Sequence, residues 1–179
     1  MKNQTKENLI NILEASINTI HKDKNISYQY GVLFVMNKEE NKIEIVTSNT
    51  KVLSVLNFFP TENEKLEELF LLNRIFISNA FIKLLIDSIK INQDCILTLI
   101  DFLNKYKSKD NFPNYKDVNP TNFTPTDKIC YDISVLESVI KLCKKISEPT
   151  ILINIDVKNA NKIVLNDNKG YIVFMPHIK

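Results

Sequence analysis

The sequence predicts an α+β fold in which helices pack on antiparallel sheets. Two observations predict it: β-branched and aromatic runs are joined by short polar turns, and stretches with one apolar helical face lie between them. A third is that a helix followed by three strands occurs near the start of the 179-residue chain and again at its end, with a less complete version between. We therefore expect repeated half-units of helix plus strands.

The first unit begins with a helix and continues with three strands. Apolar residues recur at helical spacing between Thr5 and His21, so one helix face is apolar. Three runs rich in β-branched and aromatic residues follow, separated by polar turns. The predicted strands are residues 28–36, 43–47 and 51–58.

The middle of the chain mixes helical and strand-like signals. Thr61 and Glu64 have the spacing of a capping box ahead of a short helix. Residues 70–77 are strongly apolar and fit either a strand or a helix. Ser78 can cap a helix with a wide apolar face that extends to Ile89. Residues 95–100 indicate a buried strand.

A proline-bracketed segment, residues 112–120, separates the two parts of the chain. Each proline fixes φ and restricts the residue before it, so the segment cannot lie inside a helix. We therefore divide the chain into residues 1–110, a connector at 111–126, and residues 127–179. The last part predicts a short strand at 128–132, a helix at 133–146, strands at 151–157, 162–165 and 171–175, and a hairpin turn at 167–170.

The composition is typical of a soluble globular protein. Hydrophobic residues make up 44% and charged residues 25%, and the formal net charge of +2 gives no global attraction for nucleic acid. Residues 1–6 lack the apolar core of a signal peptide, and no apolar run is long enough to span a membrane. We expect a cytoplasmic protein without a membrane partner.

The core is expected to contain apolar residues from both parts of the chain. Three well-separated cysteines lie mostly among apolar residues and indicate buried, reduced thiols. The cysteines are Cys95, Cys130 and Cys143. The residues expected to be buried are Cys95, Ile96, Leu97, Val139, Ile140 and Ile153.

The motif content argues against an enzyme. Two glycines leave no phosphate-binding loop, and no Cys or His pair has the spacing of a zinc site. Asp94 and Cys95 lack a neighbouring base and make no nucleophile constellation. We expect no catalytic residue, metal or cofactor, which leaves open only a catalytic pair that the fold assembles in three dimensions.

Three stretches carry a resemblance to one family. Residues 30–34 with 43–53 resemble a Gly-Val-Leu strand followed by an Ala-Thr-Asp-Gly-His-Arg-Leu turn. Residues 112–120, Phe-Pro-Asn-Tyr-Lys-Asp-Val-Asn-Pro, resemble a Phe-Pro-Asp-Tyr-x-x-Val-x-Pro segment, the most specific match. Residues 170–176 resemble a C-terminal strand that ends in Met-Pro. In this order, the stretches resemble the bacterial DNA polymerase III sliding clamp, its β subunit.

The resemblance implies a shortened clamp. The family has three domains of two half-units each, whereas this chain resembles a second-domain unit (1–110), the connector, and the latter half of a third domain (127–179). Asn49 and Thr50 replace the Asp and Gly of the family's turn, and residues 177–179 lack its Arg-Leu end.

The resemblance also implies a function and a site. Clamps are non-enzymatic replication and repair proteins whose apolar pocket receives short peptide motifs from polymerases and repair proteins. Leucine, valine, proline and methionine suit such a socket. Carried over position by position, the pocket residues are Ser48, Lys51, Val52, Leu53, Pro113, Asp117, Val118, Val173, Met175 and Pro176.

Contacts with DNA and between subunits are further expectations. Clamps hold double-stranded DNA through basic residues on helices, without sequence specificity. Strands at the ends of shortened half-units leave edges that can pair in a homo-oligomer. The alternative is a clamp-mimic adaptor or inhibitor of the phage or mobile-element type, which binds partner proteins without encircling DNA. The candidate DNA-facing residues, which equally fit solvated helix faces, are Lys83, Lys90, Lys141, Lys144 and Lys145.

Overall fold

The structure is a computed structural model that describes residues 2–20, 22, 25, 30–61, 65–108, 112–118, 131–146, 148, 152–154 and 160–175. These residues form five α-helices and seven strands. In chain order the elements are α1 (Lys2–Ser16), β1 (Gly31–Asn37), β2 (Lys42–Ser48), β3 (Val52–Phe58), α2 (Leu66–Leu71), β4 (Arg74–Ser78), α3 (Asn79–Ile91), α4 (Cys95–Tyr106), α5 (Ile133–Lys145), β5 (Leu152–Asn154), β6 (Asn161–Val164) and β7 (Gly170–Phe174).

All seven strands belong to one antiparallel sheet with the order β4-β1-β2-β3-β7-β6-β5. A helix and three strands occur twice, as α1-β1-β2-β3 and as α5-β5-β6-β7. The last strands of the two units, β3 and β7, pair with each other, and α1 packs against α5. The predicted α+β architecture of repeated half-units, with helices packed on an antiparallel sheet, is therefore confirmed. The division into two domains stays a prediction, and both of its parts contribute strands to this sheet.

The sheet buries a different set of residues on each face, because successive side chains of a strand point in opposite directions. On β1, Val32 and Phe34 point toward the helices, whereas Leu33 points to the other face. The larger core lies between the sheet and the helices. A smaller cluster lies on the opposite face, beneath the connector.

A ring of buried hydroxyls joins the end of the first helix to the sheet. Thr47 and Ser54 lie opposite each other on β2 and β3, with their hydroxyl oxygens 2.7 Å apart. Thr19, in the 3₁₀ turn after α1, lies 2.9 Å from the Ser54 hydroxyl and donates to the Ser16 carbonyl. Every member has a partner, so burying them avoids the cost of an unsatisfied polar group.

The predicted strand at residues 95–100 is wrong, because this stretch is the first half of α4. Asp94 decides the outcome: its carboxylate accepts from the backbone N–H groups of Ile96 and Leu97, both at 3.0 Å. These two donors lack partners inside the helix, so the N-cap stabilises its first turn. The ambiguous stretch 70–77 splits into the end of α2 and β4, with Asn73 in the left-handed region at φ 57°.

Half of the predicted core residues are buried. Cys95, Ile96 and Val139 are buried, and Ile153 is half-buried. Leu97 and Ile140 are 38% and 43% exposed, so that prediction was wrong for both. Both belong to apolar helix stripes that are wider than the surface covered by the sheet and the neighbouring helices. Residues 128–130 of the strand predicted at 128–132 lie outside the described residues. Glu64 of the predicted capping box also lies outside them.

Gly170 should be essential for the β3–β7 pairing. Its φ is +125°, and a Cβ atom at this position would lie 1.9 Å from the Val55 carbonyl oxygen on β3. We expect Gly170→Ala to lower the free energy of unfolding by about 3 kcal/mol or more, since both backbone strain and a clash with backbone are introduced. Urea denaturation measures the difference.

Asn168→Gly is the matched control, because Asn168 lies in the same turn at φ 57°. Glycine adopts this conformation without cost, so the variant should stay within about 0.5 kcal/mol of the wild type. A Gly170→Ala variant as stable as Asn168→Gly would contradict the close approach of the two strands.

Candidate functional site

The β3–β7 pairing brings together predicted pocket residues from distant parts of the chain. Leu53 lies directly opposite Val173 in the strand register. Beyond the end of β7, the Met175 N–H donates to the Lys51 carbonyl oxygen at 3.0 Å. Residues that are far apart in the sequence thus share one end of the sheet.

A tight turn before β3 holds the Lys51 carbonyl in place. The Asn49 side-chain oxygen accepts from the backbone N–H groups of Lys51 and Val52, at 2.9 and 2.8 Å. The Asn49 N–H donates to the Val52 carbonyl at 2.9 Å, and the Ser48 hydroxyl donates to the Asn49 carbonyl at 2.9 Å. An asparagine whose side chain mimics a backbone acceptor stabilises such a turn.

The connector lies on the face of the sheet opposite the helices, and polar contacts from Arg74 and Glu44 hold it there. Arg74 on β4 donates to the Phe112 carbonyl oxygen at 2.7 Å. The Tyr115 hydroxyl donates to the Glu44 carboxylate on β2. The Phe112 ring packs against Phe76 with centroids 6.0 Å apart. Burial and the Glu44 carboxylate raise the pKa of Tyr115 above its usual range.

The connector and the sheet enclose a second apolar cluster. Leu53 and Val173 belong to it and are only 6% and 4% exposed. The floor of the predicted pocket is therefore buried within the protein's own apolar cluster. The buried members of this cluster are Leu33, Val46, Leu53, Val55, Phe76, Phe112, Tyr115 and Val173.

The other predicted pocket residues surround this cluster unevenly. Met175 is 43% exposed beside the covered floor, and Pro113 and Asp117 are exposed on the connector. Val52 points to the opposite face and belongs to the helix-side core. Ser48 is half-buried in the turn. Pro176 and the Val118 side chain lie outside the described part of the chain. That these residues form one peptide site stays a prediction.

Lys51 also connects the turn to α5. Its ammonium lies 2.7 Å from the Asp132 carboxylate, which caps α5 by accepting from the Ser134 N–H at 2.9 Å. Hydrogen bonds from Lys51 and Ser134 lower the pKa of Asp132 well below its usual range. A predicted pocket residue therefore links both units through its backbone carbonyl and its side chain.

Three of the five candidate DNA-facing lysines are paired with carboxylates. Lys90 lies 2.9 Å from Glu14, and Lys145 pairs with the same carboxylate. These two ammonium groups lower the pKa of Glu14. Lys141 lies 3.6 Å from Glu137 on α5. Within the described residues, Lys83 and Lys144 are exposed and make no ion pair.

The described residues give little support for a metal site or a cysteine nucleophile. The described residues hold no group of three or more His, Cys, Asp or Glu side chains that could bind a metal. Cys95 and Cys143 are buried and free, and burial raises the pKa of both thiols, that of Cys143 to about 11. A thiol with a raised pKa is a poor nucleophile near neutral pH. No helix in the described ranges has the length and apolarity that crossing a membrane requires.

The fold is that of bacterial DNA sliding clamps. The structure of the DNA polymerase III β subunit of Thermotoga maritima matches at a TM-score of 0.60 and 14% identity, covering 96% of this chain and 63% of that one. The Bartonella birtlesii sliding clamp bound to griselimycin matches at a TM-score of 0.65 and 11% identity, covering 97% of this chain and 65% of that one. The C. crescentus β sliding clamp, with polyethylene glycol bound, matches at a TM-score of 0.66 and 10% identity, covering 97% of this chain and 64% of that one.

The protein is a divergent, clamp-like chain that spans about 63–65% of the length of these clamps. No protein-family model matches its sequence, and no curated protein does either. Its likeness to the clamps is therefore one of fold.

The connector's partners on the sheet were missed by sequence reasoning. Arg74, Phe76 and Glu44 hold the connector, yet Arg74 and Phe76 lie in no motif, and Glu44 lies in the stretch 43–53 without being identified as a contact. One signal was available: Arg74 is the chain's single arginine and lies two positions before Phe76. In a strand, this spacing puts both side chains on the same face.

The Tyr115–Glu44 hydrogen bond should make stability depend on pH. Because folding raises the pKa of Tyr115, its contribution is complete below the unfolded value of about 10 and is lost as pH rises toward the folded value. We expect Tyr115→Phe to be less stable by about 1–2 kcal/mol near neutral pH. Between about pH 9 and 11 it should lose less stability than the wild type.

Tyr106→Phe, on the helix side of the sheet, is the control and should follow the wild-type pH profile. Urea unfolding at each pH measures the effect. A Tyr115→Phe profile as steep as that of the wild type would contradict the hydrogen bond to Glu44.

Proposed function

We propose that this chain is a non-enzymatic, clamp-like protein of DNA replication or repair that docks short apolar peptide motifs of partner proteins and tethers them to DNA. The observation that supports the proposal most is the β3–β7 pairing. It puts Leu53, Val173 and Met175 beside the connector in a clamp fold. DNA polymerases and repair proteins with clamp-binding peptides are the proposed partners.

Docking begins at the exposed rim. Met175 is 43% exposed, and a methionine adapts its shape to different apolar anchors. Pro113 and Asp117 offer an apolar and a charged contact from the connector. Electrostatic contacts at such a rim influence specificity and association rate more than affinity.

Deep insertion of an anchor requires the connector to shift. Leu53 and Val173 are buried in the cluster to which Phe112 and Tyr115 of the connector also belong, so a leucine or phenylalanine anchor reaches them only when side chains of this cluster move aside. The peptide then replaces apolar contacts that the connector makes in the free protein. This exchange reduces the net gain in affinity, and we expect micromolar binding, about −8 kcal/mol.

A second candidate function is an adaptor that binds partner proteins without encircling DNA. The pairing of Lys90 and Lys145 with Glu14, and of Lys141 with Glu137, favours it. These pairs reduce the positive charge that phosphate binding requires. The two candidates share the peptide site and differ in their behaviour toward duplex DNA.

Met175→Ala tests the peptide site. A peptide with leucine and phenylalanine anchors should bind the wild type at micromolar affinity and bind the variant about thirtyfold more weakly, since the main exposed apolar contact of the site is truncated. Lys141→Ala should bind as the wild type does, because α5 lies on the other face of the sheet. Isothermal titration calorimetry measures the affinities, and thermal melts check that both variants fold. Equal affinity of wild type and Met175→Ala would reject the proposed site.

Binding to duplex DNA of mixed sequence separates the two candidates. A DNA-tethering clamp should bind the duplex, and its affinity for DNA should fall steeply as the salt concentration rises. The Lys83→Glu and Lys144→Glu variants should bind DNA more weakly than the wild type. Fluorescence anisotropy at low and moderate salt measures this. Lys38→Glu, in the turn between β1 and β2, is the control for a general change of charge. Peptide binding without DNA binding at low salt would favour the adaptor.

A further inference from the structure

A half-buried lysine lies next to the floor of the proposed peptide site. Lys162 on β6 is directly opposite Val173 on β7, and Val173 is opposite Leu53 on β3. Residues directly opposite each other in an antiparallel ladder point to the same face of the sheet. Lys162 therefore points to the connector side, one strand beyond the buried floor that Leu53 and Val173 form.

A tyrosine ring positions the ammonium group of this lysine. Tyr171 lies two residues before Val173 on β7, so its side chain is on the same face, diagonally across from Lys162. The Lys162 Nζ atom lies 4.7 Å from the centroid of the Tyr171 ring, whose face attracts a cation. This contact restricts the long side chain in the free protein and so lowers the entropy cost of ordering it when a ligand binds.

The charge of Lys162 is not neutralised within the described part of the chain. No described carboxylate lies within ion-pair distance of it, and burial lowers its pKa. Lys42, a half-buried lysine on β2, is the contrasting case. Burial opposes its charge too, but its ammonium lies 2.7 Å from Glu40 and 3.1 Å from Glu44, and these carboxylates raise its pKa.

The strands offer no other acid for Lys162. Glu44 is the single acidic residue in the described strands, and it already contacts Lys42 and Tyr115. It lies three strands across and four residues along the sheet from Lys162, which is about 19 Å. A carboxylate that neutralises Lys162 is therefore one that a ligand can supply.

We propose that Lys162 receives a carboxylate of the bound peptide, so that the site selects motifs with an acidic residue beside their apolar anchor. This role rests on the proposed function, because it concerns the same peptide site. An anchor over Val173 lies about 5 Å from the β6 backbone, and an extended peptide rises about 3.3 Å per residue. An aspartate or glutamate one or two residues from the anchor then reaches the ammonium. Val164, which is 50% exposed and opposite Tyr171, gives the flanking residue an apolar contact.

A carboxylate should bind here more tightly than a neutral amide of the same size. Hydrogen bonds between ionised groups are stronger than neutral ones. The Lys162 ammonium is already partly removed from water in the free protein, so an ion pair with it is screened less than one at an open surface. We expect an aspartate at this position to raise the affinity about tenfold over asparagine.

Peptide pairs with identical leucine and phenylalanine anchors provide the test. Each pair has aspartate or asparagine at one of the two positions on either side of the leucine, and both termini are blocked. In calorimetric titrations of the full chain, the aspartate peptide of at least one pair should bind about tenfold more tightly. Lys162→Met removes the charge but keeps an aliphatic stem, so it should bind both members equally. Lys38→Met, which removes an exposed lysine in the turn between β1 and β2, is the matched control and should keep the preference.

Charge reversal separates a contact with the peptide from a role in folding. Lys162→Glu should prefer lysine to aspartate in the same peptide, whereas a destabilised fold would weaken all peptides alike. Thermal melts check that the variants fold. An asparagine peptide with a free C-terminal carboxylate identifies the other source of the same group. If it gains the same tenfold and loses it in Lys162→Met, the terminus supplies the carboxylate.

Equal affinity of the aspartate and asparagine peptides for the wild type in every pair, without a gain from the free terminus, overturns the role of Lys162 and leaves the peptide site standing. A preference for aspartate that persists in Lys162→Met and Lys162→Glu also overturns it. If the wild type binds no peptide of either kind, the peptide site itself is rejected, and the role of Lys162 with it.

Discussion

The pairing of β3 with β7 is the constraint on which the rest of the structure depends. It joins residues that lie 120 positions apart, Leu53 and Val173, and so closes the two helix-plus-three-strand units into one sheet. The close approach requires a residue without a side chain at Gly170, in a conformation that other residues rarely adopt. This pairing also adds Val173 to the apolar surface that lies beneath the connector.

The two faces of the sheet have different partners, and this difference separates the candidate functions. One face is covered by helices that pack over a large core, and among the described residues the other is covered by the connector. Arg74 and Glu44 hold the connector through three hydrogen bonds, each of modest net strength. The apolar cluster under the connector is much smaller than the core under the helices. The connector side is therefore the side on which we propose that an apolar peptide binds.

The helix layer differs from what a simple clamp analogy predicts. Helices that hold DNA present unpaired positive charge, yet Glu14 alone neutralises two of the candidate lysines from α3 and α5. Leu97 and Ile140 point outward because each helix has an apolar stripe wider than the area its neighbours cover. The clamp fold is thus retained with a helix surface on which most of the candidate lysines are paired with carboxylates. A shared fold does not determine function, which depends on the residues at the surface.

The sequence by itself determined the elements whose signals are local. Periodicity located most helices and strands, and the prolines marked the connector, because these preferences act within a few residues. The stretch 95–100 was misassigned because six residues, five of them apolar, fit a buried strand or a helix, and the Asp94 cap decided between them. The resemblance to clamps pointed to Leu53 and Val173, but only the tertiary structure showed them paired and buried in the cluster beneath the connector. The roles of Arg74 and Glu44, and the exposure of Leu97, likewise arise from contacts between distant segments, which no local pattern encodes.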